Sequence, residues 1–279
     1  RELLEGILQQ HSGIDLFVTQ GFICRNARGE VDNLKRGGSD YSASLIAAAV
    51  KASVCEIWTD INGMHNNDPR VVERTVPVRQ LSFDEAAELA YFGAKILHPA
   101  SIWPAQQHNV PVKLLNTMDP AAEGTLITGN AAAPGAKAIA AKDGITAVNI
   151  RSSRMLLAYG FLRRVFEVFE KNRTSIDMIT TSEVAVSVTI DNASALPAIL
   201  EELGTLGATS VDGDQAIISI VGHEIASDTS MLHRIFSSLE GVEIRMVSYG
   251  GSLHNISLLV AGDKKKEVLQ RLNGGVFGL

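Results

Sequence analysis

Cysteine, excess charge and long apolar runs are all scarce in this sequence of 279 residues. Its two cysteines, Cys24 and Cys55, are too few for a disulfide framework, and their apolar or aromatic neighbours indicate buried thiols in a reducing cytoplasm. The net charge of -6 excludes the basic field that nucleic-acid binding requires. No stretch approaches the ~20 apolar residues of a membrane helix. We therefore expect a cytoplasmic protein with neither nucleic acid nor membrane among its partners.

The amino terminus, "RELLEGILQQ", lacks the basic start and apolar block of a signal peptide. Its leucines stand at helical spacing, and no initiator methionine precedes them. This pattern is typical of the middle of a helix, so we expect the chain to be a fragment or a processed product.

The first half alternates β-branched runs with helical patterns, which indicates an α/β fold. A capping box in Ser82 and Glu85 marks the start of its longest helix, and Pro99 marks the end. The segment "NAAAPGAKA", composed largely of alanine with glycine and proline, marks a boundary between domains 1–135 and 136–279. The predicted elements are strand 15–25, helix 41–52, strand 55–60, helix 82–97 and strand 110–116.

The second half contains two passes of one pattern, βαββαβ and then βαββα, at about 144–213 and 214–279. The second pass lacks its last strand, which would leave an unpaired sheet edge. "AKAIAAK" (136–142) is the candidate to fill it. We therefore expect the first repeat to be inserted within the second, with their two sheets bound to each other.

The segment "LKRGGSDYSA" (34–43) precedes a predicted helix and allows two interpretations. Its glycines could form a turn in which Ser39 or Asp40 caps the helix. Alternatively, the first amides of the helix could hold a phosphate or carboxylate, and Arg36 favours this, since a guanidinium grips a carboxylate with two hydrogen bonds.

The loop "WTDINGMHNNDPR" (58–70) follows a predicted strand, where open α/β sheets usually place ligands. Asp60 and Asp68 could be turn residues only, yet Thr59, Asp60, His65 and Arg70 would suit a nucleotide. Further on, Lys95 could be a solvated helix-end lysine or a phosphate ligand. His98 has no partner at metal-binding spacing, so we interpret it as structural.

Together, "RGGSDYSA", "IWTDINGMHNNDPR", "EAAELAYFGAKILHPA" and "SIDMITTSEVAVSVTID" resemble signature segments of the aspartokinases, in the amino-acid kinase superfamily. The resemblance covers essentially the whole chain. It implies the carboxy-terminal portion of a three-layer αβα amino-acid kinase domain, followed by two ferredoxin-like βαββαβ ACT domains. The implied reaction transfers the γ-phosphoryl group of ATP, with Mg²⁺, to the side-chain carboxylate of L-aspartate, the first step of lysine, threonine and methionine biosynthesis.

The resemblance also implies roles for individual residues. Asp40 is expected to orient groups in the active site, and no metal-ligating residue is expected. His65 stands where better-known members often have tyrosine. The aspartate-binding residues would be Arg36, Gly37, Gly38 and Ser39, and the ATP-binding residues would be Thr59, Asp60, His65, Arg70 and Lys95. Aspartokinases begin with a Lys-Phe-Gly-Gly segment that this chain lacks, so we expect the chain alone to have little or no kinase activity.

The first repeat resembles the feedback site of lysine-sensitive members, although Ala158 stands where those often have serine. From the residues alone, the apolar members could be the core of a helix and the polar ones could be capping groups. The implied effector contacts are Met155, Gly160, Phe161, Leu162, Ile176, Asp177, Ser182 and Glu183. L-Lysine is the expected effector, with L-threonine as the alternative. We expect a homodimer through the ACT domains, with a tetramer as the alternative. The rival hypothesis is a non-catalytic amino-acid-sensing and dimerisation module.

Overall fold

The computed structural model describes residues 2–93, 99–130, 133–155 and 159–279. The chain divides into two compact units, and the boundary crosses two long strands. The first unit comprises residues 1–139 and 221–225, and the second comprises 140–220 and 226–279. None of the described helices is both long and apolar enough to span a membrane.

The first unit contains a four-stranded mixed sheet and a separate two-stranded hairpin. Its elements are α1 (Glu2–Gln10), β1 (Ile23–Arg25), β2 (Val31–Asn33), α2 (Gly38–Val50), β3 (Cys55–Thr59), β4 (Gln80–Ser82), α3 (Phe83–Tyr91), α4 (Trp103–Gln107), β5 (Val112–Asn116) and β6 (Thr125–Thr128). The sheet order is β3-β5-β6-β4, and β3 runs parallel to β5. Apolar residues of the sheet, such as Ile57, Leu114 and Ile127, are buried.

The predicted helix at 82–97 begins as expected. Ser82 accepts a hydrogen bond from the Glu85 amide, and the Glu85 carboxylate accepts one from the Ser82 amide, so the capping box is confirmed. The helix ends at Tyr91, and residues 94–98 lie outside the described residues.

The predicted strand at 15–25 is largely wrong. Only Ile23–Arg25 forms a strand, paired with β2, whereas residues 14–20 are exposed and belong to no regular element. The run has strand-like composition, but among the described strands none pairs with it, and composition alone does not supply the hydrogen bonds of a ladder. Cys24 is half-buried and Cys55 is buried, so the expectation of two buried thiols holds only for Cys55.

The second unit is built on a six-stranded sheet in the order β11-β12-β10-β7-β9-β8. Its elements are β7 (Gly135–Arg151), α5 (Phe161–Lys171), β8 (Ile179–Thr181), β9 (Ala185–Ile190), α6 (Leu196–Gly204), β10 (Ala208–His223), α7 (Thr229–Ser238), β11 (Met246–Ser248), β12 (Asn255–Ala261) and α8 (Lys265–Phe277). The strands predicted at 136–142 and 144–152 form one continuous strand, β7. Likewise, the strands predicted at 208–214 and 216–222 form one strand, β10.

The core of the first repeat lies between its sheet and α5 and α6. Phe161, Val165 and Phe169 of α5 are buried against strand residues that include Val148 and Val188. This spacing places one face of α5 on the sheet, as an amphipathic helix requires.

Candidate functional site

The glycine segment forms the start of α2. The helix begins at Gly38, and its N-cap is Gly37, whose φ of 74° lies in the left-handed region that favours glycine. No side chain in the described part of the chain caps this helix end. The prediction that Ser39 or Asp40 caps the helix is therefore wrong, because both residues lie inside its first turn. The helix start leaves its first amides without a side-chain partner, at the positive end of the helix dipole.

Close packing fixes this turn. A Cβ atom on Gly38 would lie 2.7 Å from Leu34 Cβ and 3.0 Å from Phe22 Cδ2, so only glycine fits there without a shift. The Ser101 hydroxyl donates a hydrogen bond of 3.1 Å to the carbonyl oxygen of Gly37. The position of the turn is thus set by residues far from it in sequence.

Arg36 and Ser39, on either side of the two glycines, are exposed. Within the part of the chain that the structure describes, the Arg36 side chain makes no hydrogen bond or ion pair. Its guanidinium is therefore available to an anion at the start of α2.

Asp40 is half-buried in the first turn of α2. Burial raises the pKa of its carboxyl group above the ordinary value. Burial also raises the pKa of the Cys55 thiol, and the negative charge of Asp40 raises it further. Asp40 therefore lies within electrostatic reach of the first residue of β3.

Thr59 lies at the carboxyl end of β3, beside Asn116 at the end of β5. The Thr59 hydroxyl accepts a hydrogen bond of 3.2 Å from the Ile61 amide, which shapes the turn after the strand. Asp60 is exposed, with no side-chain hydrogen bond or ion pair among the described residues. Thr59 and Asp60 thus lie together at a strand end, as predicted for a ligand site in an α/β sheet.

Asn116 and Asn62 are two further polar residues here that sequence reasoning missed. The side-chain nitrogen of Asn116 donates to the side-chain oxygen of Asn62. The side-chain oxygen of Asn116 accepts a hydrogen bond of 2.8 Å from the backbone amide of Met118. The sequence could have indicated Asn116, because this residue ends the predicted strand 110–116 and neighbouring parallel strands end at the same edge of a sheet.

His65 and Arg70 are held by residues of their own loop region. His65 Nδ1 lies 2.9 Å from Thr75 Oγ1, and burial lowers the pKa of the imidazole. The Arg70 guanidinium donates two hydrogen bonds, of 2.9 and 2.8 Å, to the Asp68 carboxylate. Asp68 also accepts from the Arg70 amide, so it acts as a turn residue, as one of the two interpretations held. Lys95 and His98 lie outside the described residues.

The predicted effector contacts belong to the second unit. Gly160 is the N-cap of α5 with a φ of 77°, and none of the described side chains caps this helix. Phe161 is buried in the core of the repeat, and the other apolar members of the set pack against that core: Met155, Leu162 and Ile176. The interpretation as the core face of a helix is therefore confirmed for Phe161 and Leu162 of α5, whereas Met155 and Ile176 pack against the same core from outside that helix. Ala158 lies outside the described residues.

The loop after β7 lies beside the turn between β8 and β9. The Ser152 amide donates a hydrogen bond of 2.9 Å to the carbonyl oxygen of Val184, and Met155 donates back to Ser152 at 3.1 Å. Ser182 and Glu183 are exposed in this turn. The structure thus brings Met155, Ser182 and Glu183 into one region.

Asp177 differs from its polar neighbours. Its side chain is only 1% exposed, and it accepts a hydrogen bond of 2.8 Å from the ammonium group of Lys142. Lys142 also contacts Asp191 at 2.8 Å. The Asp177 side chain thus takes part in an ion pair within the sheet, and sequence reasoning missed Lys142 and Asp191 as its neighbours.

A cavity of about 190 Å³ lies elsewhere in the second unit. It contains none of the predicted effector contacts. Arg245 forms ion pairs there with Asp212 and Glu243, and the side-chain nitrogen of Asn149 donates a hydrogen bond of 3.1 Å to the Asp212 carboxylate. Its lining residues are Ala147, Asn149, Asp212, Glu243, Ile244, Arg245, Met246 and Leu259.

Both halves of the chain match profiles of known protein families. The profile of the amino acid kinase family matches residues 1–116, and that of an ACT domain matches 148–200 and 218–274. The chain is 38% identical over 271 residues to lysine-sensitive aspartokinase 3 of Escherichia coli, a match that covers 94% of this chain and 60% of that protein. The chain thus spans less than two thirds of the length of this curated relative.

Two crystal structures of E. coli aspartokinase III are similar as well, each at 37% identity over 99% of this chain. The complex with aspartate and ADP, an R state, has a TM-score of 0.85, and 64% of it is covered. The complex with lysine and aspartate, a T state, has a TM-score of 0.83, and 63% of it is covered. The fold is accordingly an amino-acid kinase portion followed by ACT domains. On this evidence, the chain belongs to the aspartokinase family.

Proposed function

We propose that this chain contributes the aspartate site and much of the nucleotide site of an aspartate kinase. The reaction passes the γ-phosphoryl group of ATP to the side-chain carboxylate of L-aspartate and gives 4-phospho-L-aspartate. One observation carries the proposal: among the described residues, no side chain caps the start of α2 at Gly37-Gly38, and the exposed Arg36 beside it makes no side-chain hydrogen bond or ion pair. The E. coli relative that holds aspartate and ADP supports it.

In this proposal, Arg36 binds the α-carboxylate of aspartate, while Gly37, Gly38 and Ser39 line the site at the start of α2. The Gly38 amide already donates a hydrogen bond of 3.1 Å to the carbonyl oxygen of Lys35, so Ser39 presents the next amide. The side-chain carboxylate of the substrate is already an anionic nucleophile, so no general base is needed. Asp40 orients groups around it. Thr59, Asp60, His65, Arg70 and Lys95 are the proposed nucleotide contacts, with the Arg70 guanidinium shared between Asp68 and the phosphates.

Magnesium is proposed as the ion that accompanies ATP. Among the described residues there is no group of three or more histidine, cysteine, aspartate or glutamate side chains able to hold a metal ion. In the proposal, Mg²⁺ is bound mainly through substrate phosphates and water, as is usual for that ion. When bound, it neutralises phosphate charge during the transfer.

We propose L-lysine as the effector of the first ACT repeat, ahead of L-threonine. The uncapped start of α5 at Gly160 suits a carboxylate, and the exposed Glu183 suits an ammonium group. The lysine-sensitive E. coli relative and its complex with lysine support this choice. The proposed contacts remain those predicted: Met155, Gly160, Phe161, Leu162, Ile176, Asp177, Ser182 and Glu183.

The proposal also covers the domain boundaries, the oligomeric state and the cellular compartment. The domains run from 1 to 135 and from 136 to 279, with ACT repeats at about 144–213 and 214–279, the latter completed by residues 136–142. The protein forms a homodimer through its ACT domains, with a tetramer as the alternative, which light scattering of the purified chain would test. It resides in the cytoplasm, which its two free thiols suit.

The kinase proposal is tested with the chain alone and with a chimera in which the amino-terminal part of the E. coli relative precedes Arg1. Hydroxylamine traps the acyl phosphate product as a hydroxamate. We expect product from the chimera and little or none from the chain alone. In the chimera, Arg36→Ala should raise the KM for aspartate at least tenfold, whereas Arg28→Ala, at another exposed arginine, should not. A folded chimera without product would contradict the proposal and favour the sensing module.

The effector proposal is tested by calorimetric titration of the chain with L-lysine and with L-threonine. Saturable binding of lysine, lost in Glu183→Ala and kept in Glu201→Ala, is the expected result. Glu201 is an exposed glutamate on α6 and serves as the matched control. Binding of threonine alone would change the assigned effector, and binding of neither would remove the proposed site.

A further inference from the structure

Lys142 forms the centre of an ion cluster beside the proposed effector site. Its ammonium group lies 2.8 Å from Asp177 Oδ1 and 2.8 Å from Asp191 Oδ2. The side chains differ in exposure, at 20% for Lys142, 1% for Asp177 and 42% for Asp191. The ammonium group of Lys142 therefore contacts a carboxylate that is almost fully shielded from solvent.

A carboxylate this deeply buried requires a positive partner, because the loss of its hydration is otherwise uncompensated. Partial burial alone would lower the pKa of the Lys142 ammonium, but its hydrogen bonds to Asp177 and Asp191 and their negative charges raise the pKa above the ordinary value. Lys142 thus stays charged at neutral pH. The partner of Asp177 is an ammonium group of the same kind that an amino-acid effector carries.

The second repeat has an ion pair in the equivalent place with opposite polarity. Asp177 precedes β8 and donates its amide hydrogen to the Thr189 carbonyl at 2.9 Å, while Arg245 precedes β11 and donates to the Leu259 carbonyl at 2.8 Å. Asp177 pairs with Lys142 of β7, and Arg245 pairs with Asp212 of β10. Both pairs join a long strand to the residue that leads into the edge strand of the sheet.

This inverted arrangement bears on ligand chemistry. The first repeat places a carboxylate at this position, and the second places a guanidinium there. An ammonium group that reaches this position would therefore meet the carboxylate of Asp177 in the first repeat and the guanidinium of Arg245 in the second.

We infer that Lys142 is a positioning residue of the effector site, whose ammonium group holds Asp177 until the ammonium group of an amino-acid effector takes its place. The inference rests on the proposed function, since it needs an effector near Asp177. It makes Lys142 an internal competitor of the effector. Lys142 also lies on β7, the strand that passes from residue 139 of the first unit to residue 140 of the second, so its release changes the contacts of a strand shared by both.

The test is calorimetric titration of L-lysine into the full chain and its variants. Lys142→Met removes the competitor, and we expect lysine to bind at least tenfold more tightly. Its melting temperature without lysine should fall, and lysine should raise it by more than it raises that of the wild type. The matched control is Lys265→Met, because Lys265 is 25% exposed and pairs at 2.7 Å with Asp143, the residue next to Lys142. This control should bind lysine as the wild type does.

A second variant keeps the test decisive if Lys142→Met does not fold. Lys142→Arg retains the positive charge and can donate to both carboxylates, so it should hold Asp177 more firmly and weaken lysine binding several-fold. Wild-type affinity for lysine in either folded variant would overturn the inference about Lys142. The proposed effector site would still stand in that case if Glu183→Ala abolished lysine binding. Absence of lysine binding from the wild type and every variant would reject both.

Discussion

The hydroxyl group of Ser101 donates a hydrogen bond of 3.1 Å to the carbonyl oxygen of Gly37, although 64 residues separate them in the chain. Ser101 is 2% exposed, so Ser101→Ala would leave that carbonyl oxygen without this partner. We expect a loss of about 1 kcal/mol in unfolding free energy. Differential scanning calorimetry should show a fall of about 2–4 °C in the melting temperature of the first unit.

The control for this variant is Ser53→Ala, at an exposed serine of the same unit. Its effect should stay within about 0.5 kcal/mol of zero, as is usual for surface substitutions. Equal melting temperatures for Ser101→Ala and Ser53→Ala would show that the Ser101 hydrogen bond does not stabilise the glycine turn.

A second prediction concerns the fit of Gly38. In Gly38→Ala the new methyl group would lie 2.7 Å from Leu34 Cβ, an atom too close to its own backbone to move alone. We expect a destabilisation of about 1–3 kcal/mol, the range for overpacked sites, measured by urea denaturation.

Gly6→Ala is the matched control, because Gly6 lies in α1 and a Cβ atom there would meet nothing within 4 Å. Alanine should leave stability unchanged or raise it by up to about 1 kcal/mol, since glycine is the poorer helix former. If both variants had equal stability, the contacts of Gly38 with Leu34 and Phe22 would not limit the residue at this position.

The sequence predicted most helices and strands because their signals are local. The capping box of Ser82 and Glu85 fixed the start of α3, and the apolar spacing in 161–171 fixed the buried face of α5. The start of α2 was placed three residues too late, because a glycine N-cap leaves no polar side chain to mark it. Residues 15–22 were predicted to belong to a strand but do not. Their composition is typical of a strand, but such a segment forms a strand only where another strand pairs with it.

The candidate sites were predictable in part for the same reason. Residues within one motif, such as Thr59 and Asp60, were found from their position after a strand. Lys142 was missed as a neighbour of Asp177, because they are 35 residues apart and only the register of the sheet brings them together. Similarly, nothing local to 34–43 indicates that Ser101 holds the turn.

A third prediction concerns His65 and pH. Burial lowers the folded-state pKa of this histidine below its ordinary value of 6.5, so the unfolded state binds the proton more readily. The stability that neutral His65 contributes is fully present above about pH 6.5 and is lost as pH falls through the folded-state value. Wild-type protein should therefore lose more thermal stability between pH 8 and pH 5.5 than His65→Gln does, as measured by calorimetry.

His11→Gln, at an exposed histidine of the same unit, is the control and should follow the wild-type pH dependence. Parallel curves for wild type and His65→Gln would mean that protonation of His65 is not linked to folding. The contact of 2.9 Å between His65 and Thr75 would then have to tolerate the imidazolium ion.

The fourth prediction separates stability from function at Asp40. Burial raises its folded-state pKa above the ordinary value of 3.8, so the folded state binds the proton more readily than the unfolded state. Stability therefore falls as pH rises through the folded-state value, and at pH 7 the charged carboxylate is less favourable than a neutral amide. We expect Asp40→Asn to raise the melting temperature at pH 7 and to bring no gain near pH 3, where the wild-type carboxyl is protonated.

The same substitution should lower activity in the chimera, because the proposed role of Asp40 requires a carboxylate in the active site. Asp15→Asn, at an exposed aspartate of the same unit, should change neither quantity. A gain in stability with a loss of kcat would mark Asp40 as a residue retained for function at the expense of stability, as strained active-site groups often are. If Asp40→Asn lowered stability at pH 7, burial would not be the dominant influence on this carboxylate, and the positive end of the α2 dipole would have to stabilise its charge instead.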